Sequence, residues 1–541
     1  MNWEPLIDAP TGAALQLDWL EAALEPVSEY GRREFAAASP FTTDQIDQLR
    51  AALNVVARFA ETLDSARLDA LAETLRGMPD ASGAIARAAF GDTLADADFL
   101  ELQRFCDGVV RVRSLLENVR VWPDDGTDET AAVASALERG RSGRFGFYLD
   151  DAFDEALSNA RIAATAAQSA LDDAGDATLK RVAAELGRDD LTDEFIVMRD
   201  EVRGGLPSDI HVVRETPTYY LCTLELDDRS LGALARRDAA ADAVARAEES
   251  VRARLSNVVA EHSLALTQQC ANLGKIDVLI AKARFAQRYE CIVPEVVSDA
   301  SIAFEAGRYL PLADELNRSG RAYVPIHLAL NDTAVLTGPN MGGKSAALRT
   351  CGFIAACTAF GVPVPASSAR VGLFAHVGWL GIGVGDDHNG LLSSFAKEVV
   401  RLRELLTRAA QPMLMLVDEF ARTTTPYEGK ALLIALIEQL RARNDCALIA
   451  THLPGIATAA RTPHFGVRGL RNVPSIPPTR DLAAALDKLA TEMDYTIAEI
   501  TDDRPPHADA IALAQLLGLD PGLIAAAHTA LTGERAANGQ M

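Results

Sequence analysis

Ten residues, Leu336-Thr337-Gly338-Pro339-Asn340-Met341-Gly342-Gly343-Lys344-Ser345, constrain this chain more than any other stretch. Ahead of them Ala334-Val335 is an apolar run short enough for a buried strand, and behind them Ala346 to Phe360 reads as a helix. Gly338 to Ser345 fits the spacing G-x-x-x-x-G-K-[ST] between strand and helix, the context that a phosphate loop requires. Glycines let the backbone wrap closely around an anion and aim its N–H groups inward, while the following helix offers its positive end. The spacing assigns Gly338, Pro339, Asn340, Met341, Gly342, Gly343, Lys344 and Ser345 to the phosphates of a nucleotide. Lys344 would reach the β- and γ-phosphates and Ser345 would place its hydroxyl on Mg²⁺, so ATP and Mg²⁺ are the expected ligands.

Two more apolar runs end in chemistry. Met413 to Val417 is followed by Asp418-Glu419, and parallel sheets gather their ligands beyond the carboxyl ends of such strands. Asp418 would hold the metal through water and Glu419 would polarise the attacking water. Ala447 to Ala450 ends in Thr451-His452, where the His452 side chain could meet the γ-phosphate or that water. Between them Gly385 to Glu398 reads as a polar loop running into a helix, with Ser393 or Ser394 as its cap and Glu398 in its first turns.

At 541 residues the chain is too long for one core, and three or more structural units are expected. From Leu17 to Leu186 it is Ala/Leu/Arg/Glu-rich with helical periodicity. Thr42-Thr43-Asp44-Gln45 reads as a capping box ahead of Ile46, Leu49, Leu53, Val56 and Leu63 on one helix face, with Arg50 and Arg58 left to solvent. Asp189, Asp190, Asp193 and Glu194 read as a solvated linker face. Asp209 to Leu226 carries β-branched and aromatic residues broken at Pro217, a small hairpin or meander. Leu231 to Arg288 lacks proline and reads as one long helix or a pair meeting near Gly274. Beyond Pro294 apolar segments alternate with helices such as Leu432 to Arg441, the pattern of a largely parallel sheet. The tail holds a strand from Tyr495 to Ile500 and a last helix opened by Asp520-Pro521.

Charge is acidic, 52 Lys+Arg against 76 Asp+Glu, so the overall balance gives no support for a concentrated basic face gripping nucleic acid. The seven cysteines show no C-x-x-C spacing and read as reduced core residues. No run approaches the ~20 apolar residues of a membrane span, and Met1-Asn2-Trp3-Glu4-Pro5 has no leader pattern, so a cytoplasmic protein without membrane contact is expected.

The filling Pro339-Asn340-Met341-Gly342-Gly343 resembles the phosphate loop of the MutS family of DNA-mismatch-repair ATPases. Further stretches resemble that family in the same order. They are Val362-Pro363-Val364-Pro365-Ala366, Asp386-Asp387 with Ser393-Ser394-Phe395 and Glu398, Leu416 to Gly429, and Thr451-His452; Tyr30-Gly31-Arg32-Arg33 and Ile276-Asp277-Val278-Leu279 resemble its lever region. The resemblance implies an α/β P-loop ATPase domain with a mainly parallel sheet, plus a mostly α-helical core/lever domain carrying a small β insertion. On this reading 1–200 is the helical core, 201–228 the insertion or reduced clamp, 229–295 the lever helix or helix pair, 296–475 the ATPase domain and 476–541 a C-terminal, dimerising segment. Ser393 and Ser394 would complete the nucleotide site of a partner subunit, which implies a homodimer or a heterodimer with a MutS-like paralogue.

Departures from the pattern bear on function. The family's Gly-Arg-Gly-Thr after the acidic pair is replaced by Phe420-Ala421-Arg422-Thr423-Thr424, and its signature Gly-Arg by Leu391-Leu392. The lever resemblance begins almost at residue 1, leaving no room for a mismatch-reading domain. The resemblance implies an ATP-dependent DNA clamp in repair or recombination; with few basic residues near the hairpin, weak DNA binding through Arg203, Arg214, Arg229, Arg236 and Arg237 is expected. An alternative is a protein-remodelling ATPase, since some short MutS-like proteins are linked to reactivating cobalamin-dependent aminomutases. A third is a nucleotide-gated scaffold with little turnover.

Overall fold

The computed structural model describes residues 1–119, 127–142, 146–192, 194–202, 204–339, 342–381, 394–408, 411–470, 493–500, 511, 514–515 and 518–538. They divide into two compact units, one formed by Met1–Arg76, Leu115–Trp122 and Leu273–Met541, the other by Gly77–Ser114 and Pro123–Asn272. The first unit thus joins the N-terminal helices, which the sequence pattern groups with the helical region 1–200, to the phosphate-loop region.

The first unit is built on a six-stranded sheet. Its order is His376–Gly381, Met413–Asp418, Cys446–Ala450, Thr333–Thr337, His464–Leu470, Met493–Glu499. The first five strands are parallel and the last pairs antiparallel with its neighbour. A parallel sheet has helices on both faces, so its strands must be apolar on both, and the alternation is visible residue by residue. Leu336, Leu414, Leu416 and Leu448 enter one core with the phosphate-loop helix Lys344–Ala359 and with Leu15, Leu20, Leu49 and Leu53 from the N-terminal helices. Val335, Met413, Met415, Val417 and Ile449 enter the opposite core with Leu405 of the helix Ser394–Thr407 and Leu433, Leu436 and Ile437 of the helix Pro426–Ala442. A four-stranded sheet, ordered Glu295–Val297, Ser368–Gly372, Ile302–Gly307, Ile326–Leu330, adds Val296, Val371, Ile302 and Leu328 to the first core.

The edge strand His376–Gly381 is not left bare. The Val377 N–H donates to Leu6 O (2.9 Å) and the Trp379 N–H to Thr11 Oγ1 (2.9 Å), so the N-terminal segment occupies positions where another chain could pair. Asp8, buried beside it, accepts two bonds from the Arg401 guanidinium (2.7 and 2.8 Å) and one from the Thr11 N–H (3.0 Å) that starts the helix Ala9–Leu15. Burial alone would raise the Asp8 pKa, but Arg401 and Thr11 outweigh it and hold the carboxyl at about 2.

Two lever-like stretches meet within this unit. Asp277 accepts from Ser28 N–H (2.7 Å), Ser28 Oγ (2.6 Å) and Val27 N–H (3.2 Å), capping the helix Glu29–Ala37 from outside. A Cβ on Gly31 would lie 2.2 Å from Asp277 Oδ2, and one on Gly274 would lie 2.8 Å from the Tyr30 carbonyl. Gly274 is therefore a packing residue inside the helix Ser263–Arg288 and not the hinge its sequence position suggests; the break after Asp228–Glu261 falls at His262. The Thr42 N–H does donate to Gln45 Oε1 (3.0 Å), but the Thr42 hydroxyl turns to Asp44 (2.6 Å) and the helix begins only at Ile46, so the capping box is half made.

In the second unit two long helices, Glu155–Leu186 and Asp228–Glu261, pack along each other. Between them in sequence lies a three-stranded antiparallel sheet ordered Glu194–Met198, Tyr219–Leu224, Ile210–Glu215. The acidic linker expected at Glu194 is a correction, because Phe195 and Val197 alternate inward to a small core with Val182, Ile210 and Cys222 while Glu194, Ile196 and Met198 face out. A period of two hidden behind a run of acids reads as a linker until its strand partners are known.

Replacing Arg401 with Met leaves the Asp8 carboxylate buried without its cation, and is expected to cost roughly 3 kcal/mol in urea unfolding at pH 7. Asp8 is held below its ordinary 3.8, so its contribution is fully present above that value and lost as the pH falls toward about 2. Without Arg401, burial raises the Asp8 pKa of the variant, so the gap between wild type and Arg401→Met should be widest at neutral pH and narrow as the pH falls and the buried carboxylate protonates.

Candidate phosphate-binding site

The strand Thr333–Thr337 delivers the chain to Gly338, and the helix Lys344–Ala359 takes it away from Gly343. Gly343 has φ +90°, a left-handed conformation that costs little only in glycine. This turns the first helical N–H groups, which have no partner within the helix, back over the loop. Asn340 and Met341 lie outside the described residues; Pro339 and Gly342 close a turn in which Gly342 N–H donates to Pro339 O (3.0 Å).

Lys344 is 6% exposed. Its ammonium donates to the carbonyls of Gly338 (3.0 Å) and Pro339 (3.1 Å) and lies 3.5 Å from Glu419 Oε1. A buried ammonium needs such partners, and here they hold it within the loop itself. Ser345 donates its hydroxyl to Asp418 Oδ2 at 2.7 Å. The Asp418 pKa is raised, first by burial and further by the neighbouring Glu419 charge, against which the Ser345 hydroxyl, Arg349 and Lys344 act. Asp418 is thus a largely buried carboxylate beside a second acid, held by one hydroxyl, and could accept a divalent cation.

The register explains this convergence. Leu336, Ala450, Asp418 and Gly381 stand in one row across the parallel strands. Beyond that row the Thr451 N–H donates to Leu336 O (3.0 Å) and the Glu419 N–H to Ala450 O (3.0 Å), so the loop, Thr451-His452 and Asp418-Glu419 leave the sheet at the same edge. His452 is exposed at the tip of its strand. Glu419 sits at φ +56° and Ala421 at φ +62°, left-handed values that cost roughly 1–2 kcal/mol in residues with a Cβ. Arg422 Nη1 donates to Glu419 Oε2 (3.1 Å), and the Ala421 N–H to Glu398 Oε2 (2.8 Å).

Ser393, Asp386, Asp387, Leu391 and Leu392 lie outside the described residues. Ser394 opens its helix, exposed, against the edge strand His376–Gly381. That strand is three inter-strand steps, about 14 Å, from the phosphate-loop strand, and no hydrogen bond joins Ser394 to the loop among the described residues. Within one chain the structure therefore brings together Lys344, Ser345, Asp418 and Glu419, and does not bring Ser394 to them.

Two groups escaped the sequence reading. Arg349, one helical turn beyond Ser345, places its charge toward Asp418; its i,i+4 spacing from Ser345 was the available signal. The Tyr495 ring lies beside Gly343, 3.3 Å from where a Cβ would stand, brought there by a sheet pairing that the sequence does not announce.

Loop, acidic strand end and parallel sheet together make an α/β domain with a glycine-rich loop at one sheet edge. MutS domain V is the family description that matches, over residues 334–470. The DNA mismatch repair protein MutS of Paracoccus denitrificans is 30% identical over 329 residues, covering 59% of this chain and 35% of that protein. A MutS of Azorhizobium caulinodans is 30% identical over 510 residues, 91% of this chain and 52% of its own. An Endonuclease MutS2 of Anaeromyxobacter sp. is 28% identical over 503 residues, 87% and 58% respectively. The chain belongs to the MutS family. It spans between about a third and three-fifths of the length of these relatives.

Gly343→Ala adds a methyl group both at a left-handed φ and against Tyr495. It is expected to lower nucleotide affinity at least tenfold by calorimetry, with about 1–2 kcal/mol lost from the stability of the apoprotein.

Proposed function

We propose that the chain is a MutS-type ATPase that binds ATP with Mg²⁺ and hydrolyses it to ADP and phosphate. The observation that carries this reading is the joint placement of a buried Lys344, the Ser345–Asp418 pair and Glu419 at one sheet edge. Lys344 and the loop N–H groups bind and orient the phosphates; Ser345 and Asp418 would hold Mg²⁺, which on binding neutralises charge on the β- and γ-phosphate oxygens. Glu419, freed from Lys344 when phosphate takes the ammonium, orients and deprotonates the attacking water, and exposed His452 reaches the same space from the central strand. Tyr495 offers an aromatic face at the rim of the loop.

Lys344→Ala should abolish tight ATP binding, because it removes the buried cation. Glu419→Gln should bind ATP as tightly as wild type or more tightly, because the competing carboxylate is gone, and should block hydrolysis. Equilibrium binding and single-turnover hydrolysis separate the two; equal affinity of wild type and Lys344→Ala would sink the phosphate-loop reading.

The relatives named MutS support a role in DNA repair or recombination, with ATP binding and hydrolysis driving a DNA clamp assembled from two subunits, either two copies of this chain or this chain and a MutS-like paralogue. Ser393 and Ser394 would then serve the partner's nucleotide. The region proposed to face DNA is poor in free cations. Arg181 pairs with Asp209 and Asp227, Arg188 with Asp190, Arg199 with Glu215 and Arg237 with Asp238. Arg214, Arg229 and Arg236 are exposed, and Arg203 lies outside the described residues. Affinity for duplex scales with the phosphates neutralised, so binding should be weak and its salt dependence shallow. Ile196, Met198 and Val213 stand exposed on the same small sheet, which favours, as a second reading, a protein client remodelled by the ATPase. Titrating labelled homoduplex, mismatched and branched DNA at two salt concentrations, with and without ATP, decides between them: weak, salt-sensitive binding supports the clamp, and no binding to any DNA by an intact, ATP-loaded dimer supports the protein client.

A further inference from the structure

We infer that Glu398 is a positioning residue for hydrolysis, holding the turn that presents Glu419; this rests on the ATPase reading above. Glu398 belongs to the helix Ser394–Thr407, on the opposite side of the acidic strand from the phosphate-loop helix. It is 6% exposed, an unusual place for a carboxylate. Its Oε2 accepts the Ala421 N–H at 2.8 Å, while its Oε1 is buried with no hydrogen-bond partner among the described residues. Burial pushes its pKa up, and only the Ala421 N–H and the Arg422 charge act against that. Among the described residues the cost of burying this side chain is thus set against one backbone N–H and the Arg422 charge.

That N–H lies in the right place to matter. Ala421 is two residues beyond Glu419, and both have left-handed φ values, +62° and +56°. Left-handed alanine is uphill, and a turn of this kind persists only where its surroundings fix it. Glu398 supplies the fixing bond from another element, and Arg422 ties the next residue back to Glu419 Oε2 (3.1 Å). The Phe420 ring, packed beside Phe395 one turn before Glu398 with centroids 6.4 Å apart, closes the same contact with apolar surface. Without the bond the chain can relax toward right-handed φ values at Ala421, which rotates the Glu419 carboxylate away from the loop. Among the described residues no hydrogen bond or ion pair joins Glu398 to Lys344 or Ser345, so the ground-state grip on phosphate should survive. A residue that places the base and leaves binding alone acts on kcat and spares affinity.

The test compares the full-length chain with Glu398→Ala and Glu398→Gln, with Glu419→Gln as the chemical null. ATP affinity is read by equilibrium titration, hydrolysis by single turnover, and the Ala421 amide by hydrogen exchange. Glu398→Ala should lose about 10- to 100-fold in the hydrolysis rate, with ATP affinity within about twofold of wild type and faster exchange at Ala421. Glu398→Gln retains an amide oxygen for the Ala421 N–H and should recover most of the rate and the protection. Three results would overturn the inference: a Glu398→Ala chain that hydrolyses as fast as wild type, one that loses affinity and rate together, or a Gln variant as slow as the Ala variant. A wild-type chain that binds ATP and never hydrolyses it overturns both this inference and the ATPase reading, and so differs from a failure of Glu398 alone.

Discussion

The hydrogen bond from Ser345 to Asp418 is the point on which the first unit turns, because it joins the start of one helix to the end of a strand that is not its neighbour. The central strand Cys446–Ala450 lies between the loop strand and the acidic strand. The 2.7 Å contact is possible only if three strands end level, and the row Leu336, Ala450, Asp418 shows that they do. A one-residue slip in any of them would exchange the two apolar faces as well as the site. Leu414 and Leu416 pack toward one layer of helices and Met413, Met415 and Val417 toward the other, so core and site are specified by the same register.

Around that contact lie charges drawn out of water. Lys344 is buried on two loop carbonyls and near Glu419, and Asp418 carries a raised pKa because its surroundings are dry and another carboxylate is beside it. Each group is satisfied well enough to fold. Left-handed Glu419 and Ala421 add strain at the same edge. Where the family pattern places glycine after the acidic pair, Ala421 keeps the glycine-like conformation at some cost in stability.

Much of this was legible in the residues alone. Unbroken apolar runs such as Met413 to Val417 and Ala447 to Ala450 are short enough to read as strands buried on both faces, and the glycines and lysine of the loop carry their chemistry in their spacing. Other elements are tertiary in origin. His376–Gly381 and His464–Leu470 are diluted by glycine, histidine and arginine and become strands because a neighbour pairs with them. Phe195 and Val197 were concealed by the acids ahead of them. Gly274 looked like a hinge because glycine favours helix ends, whereas the Tyr30 carbonyl packed against it requires the missing side chain. Glu398 reads in sequence as a residue in the first turns of a helix; that it is buried and reaches Ala421 depends on how that helix lies on the sheet.

The central claim is that Ser345 and Asp418 hold a divalent cation against the phosphates bound by Lys344. Replacing Mg²⁺ by Mn²⁺ in the presence of a non-hydrolysable ATP analogue allows the metal to report on its own neighbours by electron–nuclear double resonance. The account predicts phosphorus hyperfine coupling in the wild-type protein that is lost in Asp418→Asn. Coupling of unchanged size in Asp418→Asn, or a manganese spectrum indistinguishable from the free metal–nucleotide complex in wild type, would contradict it.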